Sequence, residues 1–174
     1  MEGFLSPSEV LKNLELRKDM VAADFGCGSG GWVIPLAKEL AKGRVYAIDI
    51  LEEPLSALRA KLKAEKISNI EIVRADVESG SKIQDNSCDL VLMTNLLFQV
   101  EDIKRVLEEG KRVLKGEGKI LAVDWKKDNP LTPEIEFVSI EEVKKKAQGI
   151  SLKIEKEFTP GLYHWGLILR KSQY

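Results

Sequence analysis

The chain has 174 residues, of which 44% are hydrophobic and 32% charged, and its formal net charge is −1. This composition predicts a soluble globular protein with one domain, residues 1–174, and excludes a disordered chain. A net charge so close to zero gives no overall attraction to nucleic acid or to an acidic membrane, so neither is indicated as a partner.

Cysteine and histidine are scarce: the chain has two cysteines, Cys27 and Cys88, and one histidine, His164. These are too few for a disulfide framework or a zinc site, so we expect no metal and a cytoplasmic setting. The stretch MEGFLSPSEVLKNLELRK has no long apolar run, so it is predicted to be neither a signal peptide nor a membrane span. Within it, SPSE ahead of VLKNLEL predicts a capped amphipathic helix.

Apolar runs alternate with helical patterns along the rest of the chain and predict five βα units followed by a terminal hairpin. The predicted strands lie in MVAADFG, RVYAIDI, NIEIVRAD, residues 89–93 and GKILAVDW, and the predicted helices in GGWVIPLAKELAK, EEPLSALRAKLKAEKI, EDIKRVLEEGKRVLK and SIEEVKKKAQG. The last two strands, ISLKIEKEFT and WGLILRK, flank the short turn PGLYH and must therefore pair antiparallel. This order predicts an α/β fold: a Rossmann-like, doubly wound, mostly parallel seven-stranded sheet with an antiparallel C-terminal hairpin strand and helices on both faces.

The loop ADFGCGSGGW, between the first predicted strand and its helix, fits two glycine patterns. Gly26, Gly28 and Gly31 match G-x-G-x-x-G, which binds the pyrophosphate of a dinucleotide. Asp24 together with Gly26, Gly28 and Gly30 matches D-x-G-x-G-x-G. Both patterns place the glycines where the backbone turns tightly beside a ligand, so the glycines alone do not identify that ligand.

Asp24 separates the two patterns, because its alternate position on the strand directs it toward the ligand crevice. A carboxylate there would repel a pyrophosphate, since phosphate sites rely on bare N–H groups and helix dipoles. The same carboxylate would attract an ammonium group. S-adenosylmethionine carries an amino-acid ammonium, a ribose and an adenine but no phosphate. Asp49, at the end of the second strand, is placed to accept ribose hydroxyls under either pattern, so the sequence favours S-adenosylmethionine over NAD or FAD.

Further stretches extend this pattern beyond the loop. VAADFGCGSGGW, VYAIDI, VRADVES, DNSCDLVLMTNLLFQVED, GKRVLKGEGKILAVDWKK and the closing hairpin follow one another in an order that resembles the class I S-adenosylmethionine-dependent methyltransferases. Within that group the chain is similar to the small-molecule branch related to the ubiquinone/menaquinone biosynthesis methyltransferases, the type 11 branch. The resemblance implies methyl transfer from S-adenosylmethionine to a small-molecule acceptor, and it leaves a homodimer open.

The resemblance also implies which residues hold the cofactor. They are Asp24, Gly26, Cys27 (through its backbone), Gly28 and Gly30 at the methionine, Asn95 near the reacting methyl, Asp49 at the ribose, and Ile50, Asp76 and Val77 at the adenine.

The chain departs from the family pattern in three places. TNLLFQ follows the fourth strand where enzymes that methylate base amines or side-chain amides carry an Asn/Asp-Pro-Pro-aromatic motif, which disfavours those substrates. Phe98 and Gln99 stand where the family often has a histidine, so an acid–base role is not expected there. KGEG stands where a Pro-Gly-Gly turn commonly joins the fourth predicted helix to the fifth strand.

Methyl transfer from a sulfonium needs alignment more than it needs a catalytic triad, and the sequence shows no triad. The candidates for a general base or an acceptor contact are His164 and Tyr163, in PGLYHWG, and Asn95. The alternative for His164 is an ordinary loop histidine without a catalytic role.

Two other functions stay open from the sequence. Few residues precede the first strand to cover the site, and an open site would suit RNA or protein as the acceptor. The small number of candidate general bases is also compatible with a non-catalytic S-adenosylmethionine-binding subunit. Because Phe4 and Leu5 otherwise have no core to join, we expect residues 1 to about 15 to lie over the cofactor as a lid, from the same chain or a second subunit. Lys126–Thr132 is the other segment available.

Overall fold

Seven strands form one sheet in the computed structural model, which describes residues 5–127 and 136–172. In chain order they are β1 (Val21–Phe25), β2 (Arg44–Asp49), β3 (Ile70–Arg74), β4 (Cys88–Thr94), β5 (Leu114–Trp125), β6 (Leu152–Phe158) and β7 (His164–Lys171). Their order across the sheet is β3-β2-β1-β4-β5-β7-β6. The pairs among β1 to β5 are parallel, whereas β7 runs antiparallel to both β5 and β6. The predicted sheet, including its antiparallel hairpin strand, is confirmed.

Helices cover both faces of this sheet. They are α1 (Pro7–Leu11), α2 (Val33–Glu39), α3 (Glu52–Glu65), α4 (Ile103–Val113) and α5 (Ile140–Gly149), and a 3₁₀ turn lies at Leu97–Gln99. Apolar residues of α1, α2 and α3 share one core with the sheet, and those of α4 and α5 share a second core on the opposite face. The doubly wound arrangement therefore agrees with the prediction.

The prediction of five βα units is wrong after the third strand, because no helix lies between β3 and β4 in the fully described stretch 75–87. Gly80, Lys82 and Asn86 adopt φ values of 131°, 63° and 52° there. These left-handed conformations interrupt any regular helix. The connection is instead a series of turns that borders the ligand-binding edge of the sheet.

The amino-terminal helix is shorter than predicted. Ser6 occupies the N-cap position of α1, but its side chain makes no capping hydrogen bond, so the predicted cap is wrong in this respect. The helix ends early because both the backbone amide and the side-chain amide of Asn13 donate to the carbonyl of Val10, each at 3.0 Å. This local bonding competes with a further helical turn. Val10 and Leu11 are buried in the core that α1 shares with α2.

The predicted turn KGEG lies inside β5 rather than before it. Leu114 pairs with Cys88, and the next pair joins Lys119 to Leu90, so the ladder skips residues 115–118. The segment is therefore a bulge at the amino edge of the sheet, away from the carboxyl edge where ligands bind in open α/β sheets.

Candidate active site

The glycine loop after β1 bends back over the end of β2. The backbone amides of Gly26 and Cys27 both donate to the carbonyl of Ile48, at 2.8 and 2.9 Å. Gly26 and Gly28 adopt φ values of 72° and 53°, which side-chain-bearing residues rarely accept. A Cβ on Gly26 would also lie 2.8 Å from the side chain of Leu96. The loop therefore needs glycine at these positions to bring bare backbone to the edge of the sheet.

Asp24 lies beneath this loop with its carboxyl group fully buried. Neither of its oxygens has a hydrogen-bond partner within the described part of the chain. Burial, followed by repulsion from Asp49, raises the pKa of Asp24 to about 8. A buried carboxyl group without donors is unfavourable, so the site is suited to a ligand that brings a positively charged donor.

Asp49, at the end of β2, is held by the backbone on both of its oxygens. Gly28 N–H donates to Oδ2 at 2.9 Å and Leu51 N–H donates to Oδ1 at 3.0 Å. Each carboxylate oxygen keeps a further lone pair. The carboxylate is therefore fixed beside the glycine loop and still able to accept hydroxyl groups of a ligand.

A cavity of about 650 Å³ opens along the carboxyl ends of β1 to β4. This volume is in the range of small-molecule and cofactor sites. Ile50 and Leu51 are 54% and 61% exposed, which gives the cavity an apolar surface for a ring system. The cavity is lined by Gly26, Gly28, Asp49, Ile50, Leu51, Pro54, Ala75, Asp76, Val77, Glu78, Ser79, Leu96, Gln99, Val100, Glu101 and Arg105.

The far wall of the cavity contains the predicted adenine contacts Asp76 and Val77. The carboxylate of Asp76 accepts from the backbone amide of Glu78 at 2.9 Å and from the hydroxyl of Ser79 at 3.0 Å. Glu78 in turn accepts from the backbone amide of Asp102 at 2.7 Å and ties this wall to the start of α4. The structure thus brings Asp76 to the same cavity as Asp49, in a turn that holds its orientation.

Cys27 and Gly30 were predicted to contact the cofactor, but neither lines the cavity. The amide of Cys27 is bonded to Ile48, and its carbonyl accepts from Gly30 N–H at 3.1 Å. A Cβ on Gly30 would lie 2.8 Å from the side chains of Ile34 and Leu58, so this glycine allows α2 and α3 to approach each other. Burial above all raises the pKa of the Cys27 thiol, and Asp24 adds to the shift, which excludes a thiolate nucleophile. Cofactor contacts from these two residues stay a prediction.

Asn95 follows β4 with a φ of 50°, and its backbone amide donates to the carbonyl of Val123 at 2.8 Å. Its side-chain oxygen is buried and has no partner among the described residues. Asn95 does not line the cavity, whereas its neighbour Leu96 does. A strained backbone and an unpaired oxygen at a strand end are typical of a functional site.

Asp124 was not predicted as a site residue, although it orders one wall of the cavity. Its Oδ2 accepts from the amides of Leu97 and Phe98 at 2.9 and 3.3 Å, and its Oδ1 accepts from the amide of Trp125. Burial raises the pKa of Asp124 to about 6 against the opposing effect of these hydrogen bonds. Asp124 therefore holds the 3₁₀ turn that carries Gln99 into the cavity wall.

Sequence reasoning missed several members of the wall: Leu51, Pro54, Ala75, Glu78, Ser79, Leu96, Gln99, Val100, Glu101 and Arg105. Gln99 had been noted as the replacement for a family histidine, and its side-chain amide donates to the carbonyl of Asn95 at 2.7 Å. Leu51 and Glu78 each lie within two residues of a predicted contact. Arg105 comes from α4, and its position depends on the tertiary fold.

The candidates Tyr163 and His164 lie at the carboxyl edge of the sheet but outside the cavity lining. The carbonyl of Tyr163 accepts from the amide of Lys126 at 2.8 Å and joins the hairpin to the end of β5. Within residues 5–127 and 136–172, no set of three or more His, Cys, Asp or Glu side chains is arranged to hold a metal ion. In the same part of the chain, no helix has the length and apolar character needed to cross a membrane.

The lid prediction is wrong for residues 5–15 within a single chain. Leu5 packs on the core shared by α1, α2 and α3, and Val10, Leu11 and Leu14 are buried in that core. None of the residues 5–15 lines the cavity. They instead cover a face of the sheet, because this face would otherwise expose the apolar side chains of β4 and β5. Phe4 and most of Lys126–Thr132, the other predicted cover, lie outside the described residues.

The fold and this constellation of acidic and glycine residues define a Rossmann-like class I methyltransferase domain. The family model described as "Methyltransferase domain" matches residues 23–122. The chain therefore belongs to this family.

Sequence relatives support the type 11 branch. A demethylmenaquinone methyltransferase of Listeria welshimeri is 31% identical over 122 residues, which are 70% of this chain and 51% of that protein. The corresponding protein of Staphylococcus aureus is 34% identical over 116 residues, which are 66% of this chain and 47% of that protein. The chain thus spans about half the length of the curated relatives it matches.

A solved structure covers nearly the whole chain. The S-adenosylmethionine-dependent methyltransferase from Aquifex aeolicus superposes with a TM-score of 0.86 at 28% identity, over 95% of this chain and 89% of that one. The predictions of the class I type 11 family, of its fold and of S-adenosylmethionine as its cofactor are confirmed by these comparisons.

Proposed function

We propose that this chain transfers a methyl group from S-adenosylmethionine to a small-molecule acceptor. Asp24 carries the proposal: its carboxyl group is fully buried, and neither oxygen has a partner among the described residues. Asp24 does not itself line the cavity, but it lies two residues before Gly26, which does. The ammonium of a bound methionine moiety would supply the missing donors and the missing positive charge. The bound group would supply an electrophilic methyl on a sulfonium, and this chain's residues would bind and orient it.

In this proposal, residues at the ends of different strands would contact different parts of the cofactor. Asp24 and the backbone at Gly26 and Gly28 would hold the methionine moiety at the end of β1. Asp49, fixed by two backbone amides, would accept the ribose hydroxyls. Ile50 and Asp76 would meet the adenine, the first through its apolar surface and the second through its carboxylate. Asn95, after β4, would lie next to the methyl group.

Two observations support a small molecule as the acceptor. The curated relatives carry the name of an enzyme that acts on demethylmenaquinone, and the formal net charge of −1 offers no general affinity for nucleic acid. A quinone is not proposed for this chain, because it spans only about half of those relatives. The two buried free thiols, Cys27 and Cys88, support a cytoplasmic setting. A homodimer and a single domain over residues 1–174 stay predictions.

Isothermal calorimetry with S-adenosylmethionine, S-adenosylhomocysteine and NAD tests this function. We expect the first two to bind and NAD to give no heat, since Asp24 is placed to pair with an ammonium group rather than with a pyrophosphate. We expect Asp49→Ala to weaken the binding of S-adenosylhomocysteine by about 10-fold or more, because charge-assisted hydrogen bonds contribute about 1.5–3 kcal/mol each. Asp19→Ala, at an exposed carboxylate outside the cavity, is the matched control. Tight binding of NAD without binding of S-adenosylmethionine would refute the proposal.

A further inference from the structure

A buried imidazole stands at the carboxyl edge of the sheet, outside the cofactor cavity. His164, the first residue of β7, is 4% exposed and faces Trp125 across the antiparallel ladder with β5. The two ring centroids lie 4.0 Å apart, with 36° between the ring planes. The stacking fixes the imidazole plane before any ligand arrives.

One nitrogen of this ring has no hydrogen-bond partner among the residues that the structure describes. Nε2 of His164 is buried, and no atom in the described part of the chain bonds to it. Buried polar side-chain atoms without partners are uncommon, since an unsatisfied buried group is unfavourable. A ligand atom that completes the hydrogen bond would remove this deficit.

The ladder places His164 on the same face of the sheet as Asp24. Asp24 pairs with Leu92 on β4, and Leu92 pairs with Leu121 on β5. Trp125 follows four residues after Leu121 and therefore points to the same face, and His164 is its cross-strand partner. The imidazole thus belongs to the same side of the sheet as the carboxyl group proposed to hold the cofactor.

The end of β4 and the start of β7 lie at the same edge of the sheet, on either side of β5. Asn95 follows β4, and only β5 separates β4 from β7, so two strand spacings, about 10 Å, lie between them. The side-chain oxygen of Asn95 is a second buried atom without a partner among the described residues. Asn95 Oδ1 and an unprotonated Nε2 both accept hydrogen bonds, so a molecule that contacts either of them would need donor groups.

We propose that Nε2 of His164 accepts the proton of an acceptor whose hydroxyl or amine group is methylated. The inference rests on the proposed function and adds the chemical class of the acceptor. A lone pair of the acceptor oxygen or nitrogen forms the bond to the methyl carbon. The electrons of the carbon–sulfur bond return to sulfur, which becomes an uncharged thioether, and the proton passes to Nε2. One positive charge thereby moves from the sulfur to the imidazole.

The ring is unprotonated before the reaction. Burial lowers the pKa of His164 to about 4, and the positive charge of Lys126 acts in the same direction. The ring is therefore neutral near neutral pH and carries the lone pair that a proton acceptor needs.

The single histidine makes the test direct, because the imidazole ¹⁵N resonances need no assignment by mutation. The wild-type protein is saturated with S-adenosylhomocysteine near neutral pH and titrated with phenol, catechol and benzylamine as probes. We expect a neutral ring, and we expect at least one probe to shift the Nε2 resonance in the direction of hydrogen-bond acceptance.

Turnover of that probe with labelled S-adenosylmethionine provides the second measurement. We expect His164→Gln to lower kcat by about 100-fold or more while the affinity for S-adenosylmethionine is unchanged, since a general base contributes about 10²–10⁴ in rate. Thr159→Ala, an exposed position in the same hairpin, is the control.

The outcomes separate this inference from the proposed function. If S-adenosylmethionine binds but no probe shifts Nε2, or if His164→Gln keeps the wild-type rate, the inference is overturned. A loss of S-adenosylmethionine affinity in His164→Gln would indicate a structural role and would also overturn it. Failure of the wild-type protein to bind S-adenosylmethionine overturns the proposed function instead.

Discussion

The carboxyl groups of Asp24 and Asp49, both near the glycine loop, differ in their hydrogen bonding. Both oxygens of Asp49 receive backbone amides, whereas the oxygens of Asp24 receive no donor from the described residues. Burial and the nearby charge of Asp49 keep Asp24 protonated in the ligand-free protein over most of the neutral range. Binding of an ammonium ligand therefore has to displace this proton, so the affinity is linked to pH.

Asp24→Asn is expected to stabilise the ligand-free protein at pH 8 and to weaken cofactor binding. The pKa of Asp24, about 8, is above the ordinary value of 3.8. The folded state therefore keeps a proton that the unfolded state releases, and the wild-type free energy of unfolding falls as the pH rises from about 4 to about 8. An asparagine at position 24 does not ionise, so the free energy of unfolding of Asp24→Asn lacks this decrease with pH. Urea unfolding at several pH values, together with calorimetry of S-adenosylhomocysteine, measures both effects.

Asp19→Asn, at an exposed carboxylate, serves as the control for these curves. Equal pH dependence of unfolding in the wild type and in Asp24→Asn would show that Asp24 is ionised in the free protein.

The sequence indicates a residue's position in the fold most directly where its neighbours in the chain define a strand end. Asp24 and Asp49 stand at the ends of apolar runs beside glycines or a helix start, so their place at the edge of the sheet follows from local pattern. Asp124 was missed because its partners are the backbone amides of Leu97 and Phe98, more than twenty residues away in the chain. A hydrogen bond from distant backbone amides to a side chain leaves no recognisable pattern in the sequence.

At the level of elements, a partly buried ion pair lies beside the connection between β3 and β4, where five complete βα units would require a helix. Glu109 of α4 accepts from the amide and the hydroxyl of Ser81 and from Arg112, and Arg112 also donates to the carbonyl of Ile83. Burial alone would raise the pKa of Glu109, but the hydrogen bonds from Arg112 and Ser81 lower it to about 2. The network fastens the irregular connection to α4.

Glu109→Gln is expected to lower the free energy of unfolding by about 1–3 kcal/mol near pH 7, because it weakens hydrogen bonds to a charged group. The folded-state pKa of about 2 lies below the ordinary 4.5. The stabilisation is therefore complete above about pH 4.5 and is lost as the pH falls through about 2. Glu108→Gln is the matched control, since this neighbouring side chain is 49% exposed and its pair with Lys104 spans 3.6 Å. Similar losses in both variants, measured by urea unfolding, would contradict the role of the network.

A second element-scale prediction concerns the start of β2. A Cβ on Gly43 would lie 1.9 Å from the backbone carbonyl oxygen of Met20, which cannot move without disturbing β1. We expect Gly43→Ala to destabilise the fold by about 2 kcal/mol or more, since strain against the backbone is among the mechanisms of large mutational effects. Gly116→Ala, where nothing lies within 4 Å of the added Cβ, is expected to stay within about 0.5 kcal/mol of the wild type. Thermal unfolding of both variants compares them.

The positions of the strands could be predicted from the sequence because each buried strand contains a short apolar run. The connection at residues 75–87 could not, since its apolar positions are few and its conformation depends on contacts with α4. Residues 115–118 were expected to form a turn because glycines are common in turns and in bulges alike. The sequence does not show that Leu114 already pairs with Cys88, which makes the segment a bulge within β5.

At the scale of the whole molecule, the sheet consists of two segments that are contiguous in sequence. β1, β2 and β3 form one side and β4 to β7 the other, and the pairing of β1 with β4 joins them. The cavity receives Gly28, Asp49 and Asp76 from the first segment and Gln99 and Arg105 from the second. The proposed cofactor would therefore contact both halves at the junction of the sheet.

Because the cavity is lined by both segments of the sheet, a bound cofactor would act as a non-covalent crosslink between the two halves of the chain. A molecule that bridges two cooperative units raises the free energy of separating them, in addition to protecting its own contacts. We expect S-adenosylhomocysteine to slow amide hydrogen exchange along the whole β1–β4 ladder, including Ala22 and Leu90, which pair with each other and do not line the cavity. Exchange followed by mass spectrometry with and without the ligand would show this, and protection restricted to the glycine loop would contradict it. Occupancy of the site would then determine how firmly the two halves of the protein are held together.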